Sequence, residues 1–196
     1  MARDRRTRPE ARALRLFVAV DVPPSVKGDL AAALSSFRDR VPGARWTRED
    51  QWHVTLKFLG ATWPRLLDDV REAVRSVALA SMVFGTSLTA FGIFPTPSRA
   101  RVMWAGLSDA DGRFRQMVGL LDGALRAHFE PEKRPFTPHL TVARLNPPRD
   151  LREAAGFFGT PIPSEPWAVT ELVLYRSHLS PKGATYEAVN RFPIGA

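Results

Sequence analysis

The chain has no cysteine. That excludes thiol catalysis, cysteine-bound zinc, iron–sulfur clusters and disulfides, and it is compatible with a reducing compartment. A chain of 196 residues can bury most of its apolar surface without such staples. No apolar run approaches the ~18 residues of a membrane span. The basic start is followed by LRLFVAVDV, too short for a signal-peptide core and strand-like in composition. A cytoplasmic location is expected. Histidine is also scarce, at four residues, so any histidine chemistry must come from His53, His128, His139 or His178.

Charge of negative sign is in short supply. The formal net charge is +8, with arginine outnumbering lysine 24 to 4. A basic surface favours an anionic partner such as nucleic acid. Half of the excess lies in Met1 to Arg15, where six arginines face only Asp4 and Glu10, a net +4. Residues 1–13 are expected to form a disordered, solvated leader; the sharper reading is a weak electrostatic tether for RNA. Residues 14–196 are expected to form one bilobal domain.

The remaining composition, 44% hydrophobic and 24% charged, is that of a globular protein. Leu14 to Val22 reads as a strand ending at Pro23-Pro24, after which Ser25 is placed to cap a helix reaching about Arg40. HVTLKFLG is a strand. Pro64 opens a helix whose Leu66, Leu67, Val70, Val74 and Val77 fall at helical spacing. SLTAFGIF and ARVMWAGL read as two strands around PTPSR. Phe114 to His128 is an amphipathic helix, HLTVARL a strand, and a short helix follows near Leu151 to Phe158. ELVLYRSHL and TYEAVNRFPI close the chain as strands. Each half runs strand, helix, strand, helix, a weak internal repeat. The pattern predicts an α+β fold: two pseudo-symmetric lobes of antiparallel or mixed sheet, with outer helices, around a central cleft.

The motif strand of each half carries the same tetrad, HVTL at His53 and HLTV at His139. Side chains alternate along a strand, so His53, Thr55 and Lys57 are expected on one face, with Val54, Leu56 and Phe58 on the other. His139 and Thr141 share a face in the same way. If the lobes are related by an approximate two-fold axis, both polar faces meet in the cleft. Two imidazoles with pKa near ~6.5 suit acid–base work, one neutral and one protonated. The threonine hydroxyls suit a phosphate oxygen, where charge builds as a nucleophile attacks. A lone His-x-Thr means little; two copies with like flanks in equivalent places mean far more. Zinc would need a third ligand, and neither tetrad holds an acidic residue, so no metal is expected.

These motifs resemble those of the 2H phosphoesterase superfamily. The chain is most similar to the RNA 2′,3′-cyclic phosphodiesterases, formerly called 2′-5′ RNA ligases, from Arg15 onward. The similarity is carried by RLFVAVDVP, QWHVTLKFLG, FGIFP with RVMWAGL, RPFTPHLTVAR and ELVLYRSHLSPKGATYEAV. It implies hydrolysis of an RNA 2′,3′-cyclic phosphate, on tRNA fragments or oligonucleotides, to a 2′-phosphomonoester without metal or cofactor. It implies His53 as proton donor to the leaving 3′ oxygen, His139 as the base for water, and Thr55 and Thr141 as phosphate ligands. Weak reverse 2′-5′ ligation is a family property, and a monomer is expected. Because the two tetrads look alike, the donor and base roles rest on the resemblance alone.

Three further residues are candidate substrate contacts. Arg144 follows His139 by five positions and would face away from it in an ideal strand, reaching the groove only at a bulge or strand end. The resemblance places a substrate-contacting arginine there. Lys57 is a candidate to steer the anion. Phe136 is favoured for stacking on a base over Phe17, Trp46 and Trp52. His128 and His178 lack the tetrad and read as structural or surface residues. Two alternatives have different signatures: a 2H enzyme acting on an ADP-ribose cyclic phosphate or a 2′-5′ oligonucleotide, and a non-catalytic RNA-binding module indifferent to loss of either histidine.

Overall fold

The computed structural model describes residues 12–35, 37–181 and 183–195. Most of the expected basic leader therefore lies outside the described residues. The first strand, β1 (Leu14–Asp21), has five consecutive buried residues. It is followed by α1 (Pro24–Ser35), which buries Val26, Leu30 and Leu34 on one stripe. Ser25 does not cap this helix. Pro24 is already its first residue, because proline's fixed φ and missing N–H suit the opening position. The helix also ends earlier than the sequence pattern suggests, and the segment Arg38–Arg40 is a 3₁₀ turn.

The short strand β2 (Arg45–Trp46) precedes β3 (His53–Thr62), and Pro64–Leu66 leads as a 3₁₀ turn into α2 (Leu67–Ala80). Next come β4 (Phe84–Thr86), β5 (Leu88–Phe94), β6 (Ala100–Leu107) and α3 (Arg113–Leu125). The last strands are β7 (His139–Arg149), β8 (Trp167–Val169), β9 (Glu171–Ser180) and β10 (Gly183–Pro193), with a 3₁₀ segment at Arg152–Phe157. Sequence periodicity does not reveal β2, β4 and β8, which are only two or three residues long.

One sheet runs in the order β10-β9-β1-β3-β7-β6-β5, with β2 pairing beside β7, and β4 pairs with β8 in a separate two-stranded sheet. All described pairings are antiparallel. The two motif strands are central neighbours, joined at Val54 opposite Leu140. On either side the order mirrors itself: β1 flanks β3 as β6 flanks β7, and β9 flanks β1 as β5 flanks β6. Val54 and Leu140 point into one hydrophobic core, which also holds Leu30 of α1, Val74 of α2 and Leu121 of α3. The motif residues alternate with these core residues, so the fold commits them to the opposite face. No helix among the described residues is long and apolar enough to cross a membrane.

Candidate active site

The site begins with the pairing of Val54 and Leu140. Their side chains are buried in the core, so the preceding histidine and following threonine of each strand face the other way. This brings His53, Thr55, His139 and Thr141 to one groove, as the spacing predicts.

Both imidazoles are held alike. His139 Nδ1 lies 2.7 Å from the Thr137 carbonyl oxygen, and His53 makes the matching backbone hydrogen bond to Gln51. In each case the partner is two residues upstream. A carbonyl only accepts, so His139 Nδ1 carries the proton and its Nε2 is left to face the groove. Burial pushes the His53 pKa down to about 4, opposed by the Gln51 hydrogen bond and by Asp21. Burial also lowers His139, opposed by the Thr137 hydrogen bond, and Arg144 lowers both. Burial thus favours the neutral form of both imidazoles.

Each motif strand carries a bulge directly after its threonine. On β3, Thr55 faces Ala19 and Lys57 faces Val18, so Leu56 is the extra residue. On β7, Thr141 faces Trp104 and Ala143 faces Met103, so Val142 is the extra residue. A bulge reverses the alternation from that point. Two sequence expectations change as a result. Lys57 does not share the groove with His53. It turns into the core side, is only 6% exposed, pairs with Asp122 and donates to the Glu130 carbonyl at 3.0 Å. It is a structural ion pair, and its candidacy as a substrate contact is withdrawn. Phe58, expected to be buried, instead lies 66% exposed on the groove side. Arg144 turns to the groove by the same device on β7, with Arg45 of β2 as its cross-strand neighbour.

The aromatic surroundings are unequal. Phe17 stacks on His53 with ring centroids 4.9 Å apart, and Tyr186 meets the same imidazole edge-on at 5.1 Å. Phe94 meets His139 edge-on at 5.2 Å, with Trp104 at 6.2 Å. Phe136, the favoured stacking residue, instead packs half-buried against the margin of the core, as does Trp46, while Trp52 lies within it. Sequence reasoning missed Phe94 and Trp104, although one signal pointed to them. Gly92 lets the Trp104 indole lie flat on β5, since a Cβ there would fall 2.1 Å from the ring. His128 pairs with Asp69 at 3.3 Å and His178 with Glu187 at 2.8 Å; the structure places neither in the groove.

A cavity of about 590 Å³ opens on the His53 side, lined among others by Asp21, Lys27, Tyr186 and Arg191, and His139 is not part of its lining. No three His, Asp or Glu side chains among the described residues gather as a metal ligand set.

An α+β sheet with mirrored halves, and a groove bearing one His-x-Thr face from each, defines a paired-histidine phosphoesterase architecture. The profile of the 2′-5′ RNA ligase superfamily matches residues 16–181, and the chain belongs to that superfamily. A Thermus thermophilus protein named RNA 2′,3′-cyclic phosphodiesterase is 32% identical, over 92% of this chain and 90% of the relative. Relatives of the same name from Methanothermobacter thermautotrophicus and Geobacillus stearothermophilus are each 28% identical. The alignments cover 92% and 91% of this chain; the chain spans 99% of the first relative but only 56% of the second. Among solved structures, TT0787 of Thermus thermophilus superposes with a TM-score of 0.76 at 27% identity, covering 93% of this chain and 99% of that one. Apo Escherichia coli LigT shares the fold, with a TM-score of 0.78 at 24% identity over 94% and 99% of the two chains.

Proposed function

We propose that the chain is an RNA 2′,3′-cyclic phosphodiesterase that opens the cyclic ester to a 2′-phosphomonoester without a metal ion. The observation that carries this reading is the convergence of two His-x-Thr faces on one groove, each imidazole hydrogen-bonded to the backbone two residues upstream. The relatives' shared name supports it.

In this reading the phosphate sits between Thr55 and Thr141, whose hydroxyls donate to its non-bridging oxygens. Its negative charge favours the protonated form of a nearby imidazole, offsetting burial. His139 Nε2 takes a proton from water as the oxygen attacks phosphorus in line. The P–O3′ bond breaks, and His53 Nε2 gives its proton to the departing 3′ oxygen. Arg144 adds positive charge where the attack builds negative charge.

The cavity supports the same orientation. Both ester oxygens belong to one ribose, and in-line attack puts water opposite the leaving oxygen. The nucleoside must then lie on the donor's side, and the 590 Å³ cavity opens beside His53. Its volume falls within the ~300–1,000 Å³ typical of small-molecule sites. One chain supplies both histidines, so a monomer acting on the 3′ ends of RNA fragments suffices. With a 5′-hydroxyl attacking in place of water, the same step would join a 2′,3′-cyclic phosphate end to a 5′-hydroxyl end through a 2′–5′ linkage, O3′ again leaving with the proton from His53.

The test is to incubate the purified protein in EDTA with a short RNA ending in a 2′,3′-cyclic phosphate and identify the product. A 2′-phosphate end is expected. A 3′-phosphate would reverse the placement of the ribose, a requirement for added metal would overturn the metal-free mechanism, and no product from folded protein would overturn the reading.

A further inference from the structure

The two halves match at the tetrads but not on the strands beside them. In β1 the residue opposite His53 is Asp21, and in β6 the residue opposite His139 is Gly106. Directly opposed residues of an antiparallel pair hold their Cβ atoms ~4.5–5.5 Å apart on one face. Asp21 is thus a groove-side neighbour of His53. The equivalent place beside His139 is closed to any side chain, because a Cβ on Gly106 would fall 2.7 Å from Thr89 Oγ1 and 3.1 Å from the Trp104 ring.

Asp21 is also braced. Tyr175 donates its hydroxyl to Oδ1 at 2.6 Å, and Arg191 donates to Oδ2 at 3.0 Å while also binding Glu171. These partners come from β9 and β10, so the carboxylate is fixed by two strands beyond its own. Burial, and after it the hydrogen bond to Asp21, hold the Tyr175 phenol well above its ordinary pKa. The phenol therefore stays a neutral donor to the Asp21 carboxylate.

From this asymmetry we infer that Asp21 is a positioning residue that holds His53 and supports its protonated form in the substrate complex, a support that His139 lacks. The inference rests on the cyclic phosphodiesterase reading above and explains which of two matching histidines takes which role. The charged and titratable groups acting on His53 come from several elements. Lys27 of α1 and Arg144 of β7 disfavour its protonation, and Asp21 of β1 favours it. Tyr175 of β9 stacks towards the ring and Tyr186 of β10 meets it edge-on. Asp21 is therefore the carboxylate that offsets those cations. Turnover balances: the proton on His53 leaves with O3′, the proton from water arrives on His139, and solvent exchange restores both.

The experiment compares kcat–pH profiles of the full chain and its Asp21→Asn variant on the cyclic-phosphate RNA in EDTA. In the enzyme–substrate complex the limb that falls with rising pH reports the acid, and the other limb reports the base. Asp21→Asn should move the falling limb to lower pH, leave the rising limb in place, and change KM little. For each pH unit that the limb moves, kcat at pH 7 should drop roughly tenfold. Asp21→Glu should recover part of the loss. Arg191→Gln gives a test of opposite sign that does not depend on the Asn variant folding. It frees negative charge at Asp21 and Glu171 and should move the falling limb to higher pH. An unmoved falling limb in Asp21→Asn, or movement of the rising limb instead, overturns the inference. So does an Arg191→Gln limb displaced to lower pH. Wild-type protein that yields no product overturns the underlying reading instead, so the two failures are distinguishable.

Discussion

β3 and β7 share a tetrad, a bulge after the threonine and a backbone carbonyl gripping the histidine, yet beyond the bulge they carry different side chains. Two residues past Thr55 stands Lys57, buried in an ion pair; the matching residue past Thr141 is Ala143, buried in the core. One position further, Phe58 and Arg144 occupy equivalent places on the groove. The two lobes thus deliver the same His-x-Thr pair to the groove, while the position after each bulge is aromatic on one side and cationic on the other. A cyclic phosphate joined to a nucleoside has the same polarity. In the proposed mechanism the shared backbone geometry serves proton transfer at both ends, and the divergent residues orient the substrate.

The most severe break of the comparison removes the shared chemistry. His53→Ala and His139→Ala should each lower kcat by about 10²–10⁴-fold, the range for one general acid or base, with the circular dichroism spectrum unchanged. A phosphodiester with an aryl leaving group, which departs without a proton, should separate the two. It should largely restore turnover in His53→Ala and leave His139→Ala inactive. Equal rescue of both would mean that the halves are not differentiated as proposed.

The next prediction concerns Lys57 against Ala143. Lys57→Met strands the Asp122 carboxylate, whose side chain is 19% exposed. Breaking a buried pair this way costs about 3–5 kcal/mol, and the partial exposure of Asp122 favours the lower end. Urea denaturation should show the loss, while kcat per folded molecule stays at the wild-type value. Replacing Asp122 by Leu in the same chain should restore much of the stability, because the uncompensated charge is gone. A Lys57→Met protein of full stability but reduced kcat would return Lys57 to the groove and contradict the bulge.

How far the sequence carried these conclusions depends on the residue. His53, Thr55, His139 and Thr141 reach the groove because strand alternation holds over the three residues of each motif. Lys57 and Phe58 are placed on the wrong faces by the same rule. A bulge has no composition signature in HVTLKFLG, and it is set by register against β1, which only the folded sheet defines. Arg144 is the converse case, with its need for a bulge visible in the spacing and the bulge itself not. The long strands and amphipathic helices are legible from periodicity. The short strands β2, β4 and β8 are not, since two or three residues show no period. Nor is the difference between Asp21 and Gly106 visible in sequence, because cross-strand partners lie far apart in the chain.

The mildest test concerns Arg144 and the titration of both imidazoles. Burial lowers His53 to about 4 and lowers His139 as well. In the free enzyme, then, the profile of kcat/KM has both limbs below the ordinary histidine value of ~6.5, and its optimum lies between them. Bound phosphate favours imidazolium, so the profile of kcat should sit at higher pH. Arg144 contributes to the lowering of both histidines. Arg144→Gln removes a cation that disfavours protonation, so both pKa values rise and both limbs of kcat/KM move to higher pH. The direction separates this change from Asp21→Asn, which removes an anion and lowers the acid alone. Arg144→Gln should also raise KM, by roughly tenfold if it loses one charged hydrogen bond of about 1.5 kcal/mol. If only the His139 limb moved, Arg144 would act within its own lobe, and the electrostatic link between the halves would be lost. Movement of both limbs means that a residue from the second lobe sets the proton affinity of the histidine in the first, and the two faces titrate as one site.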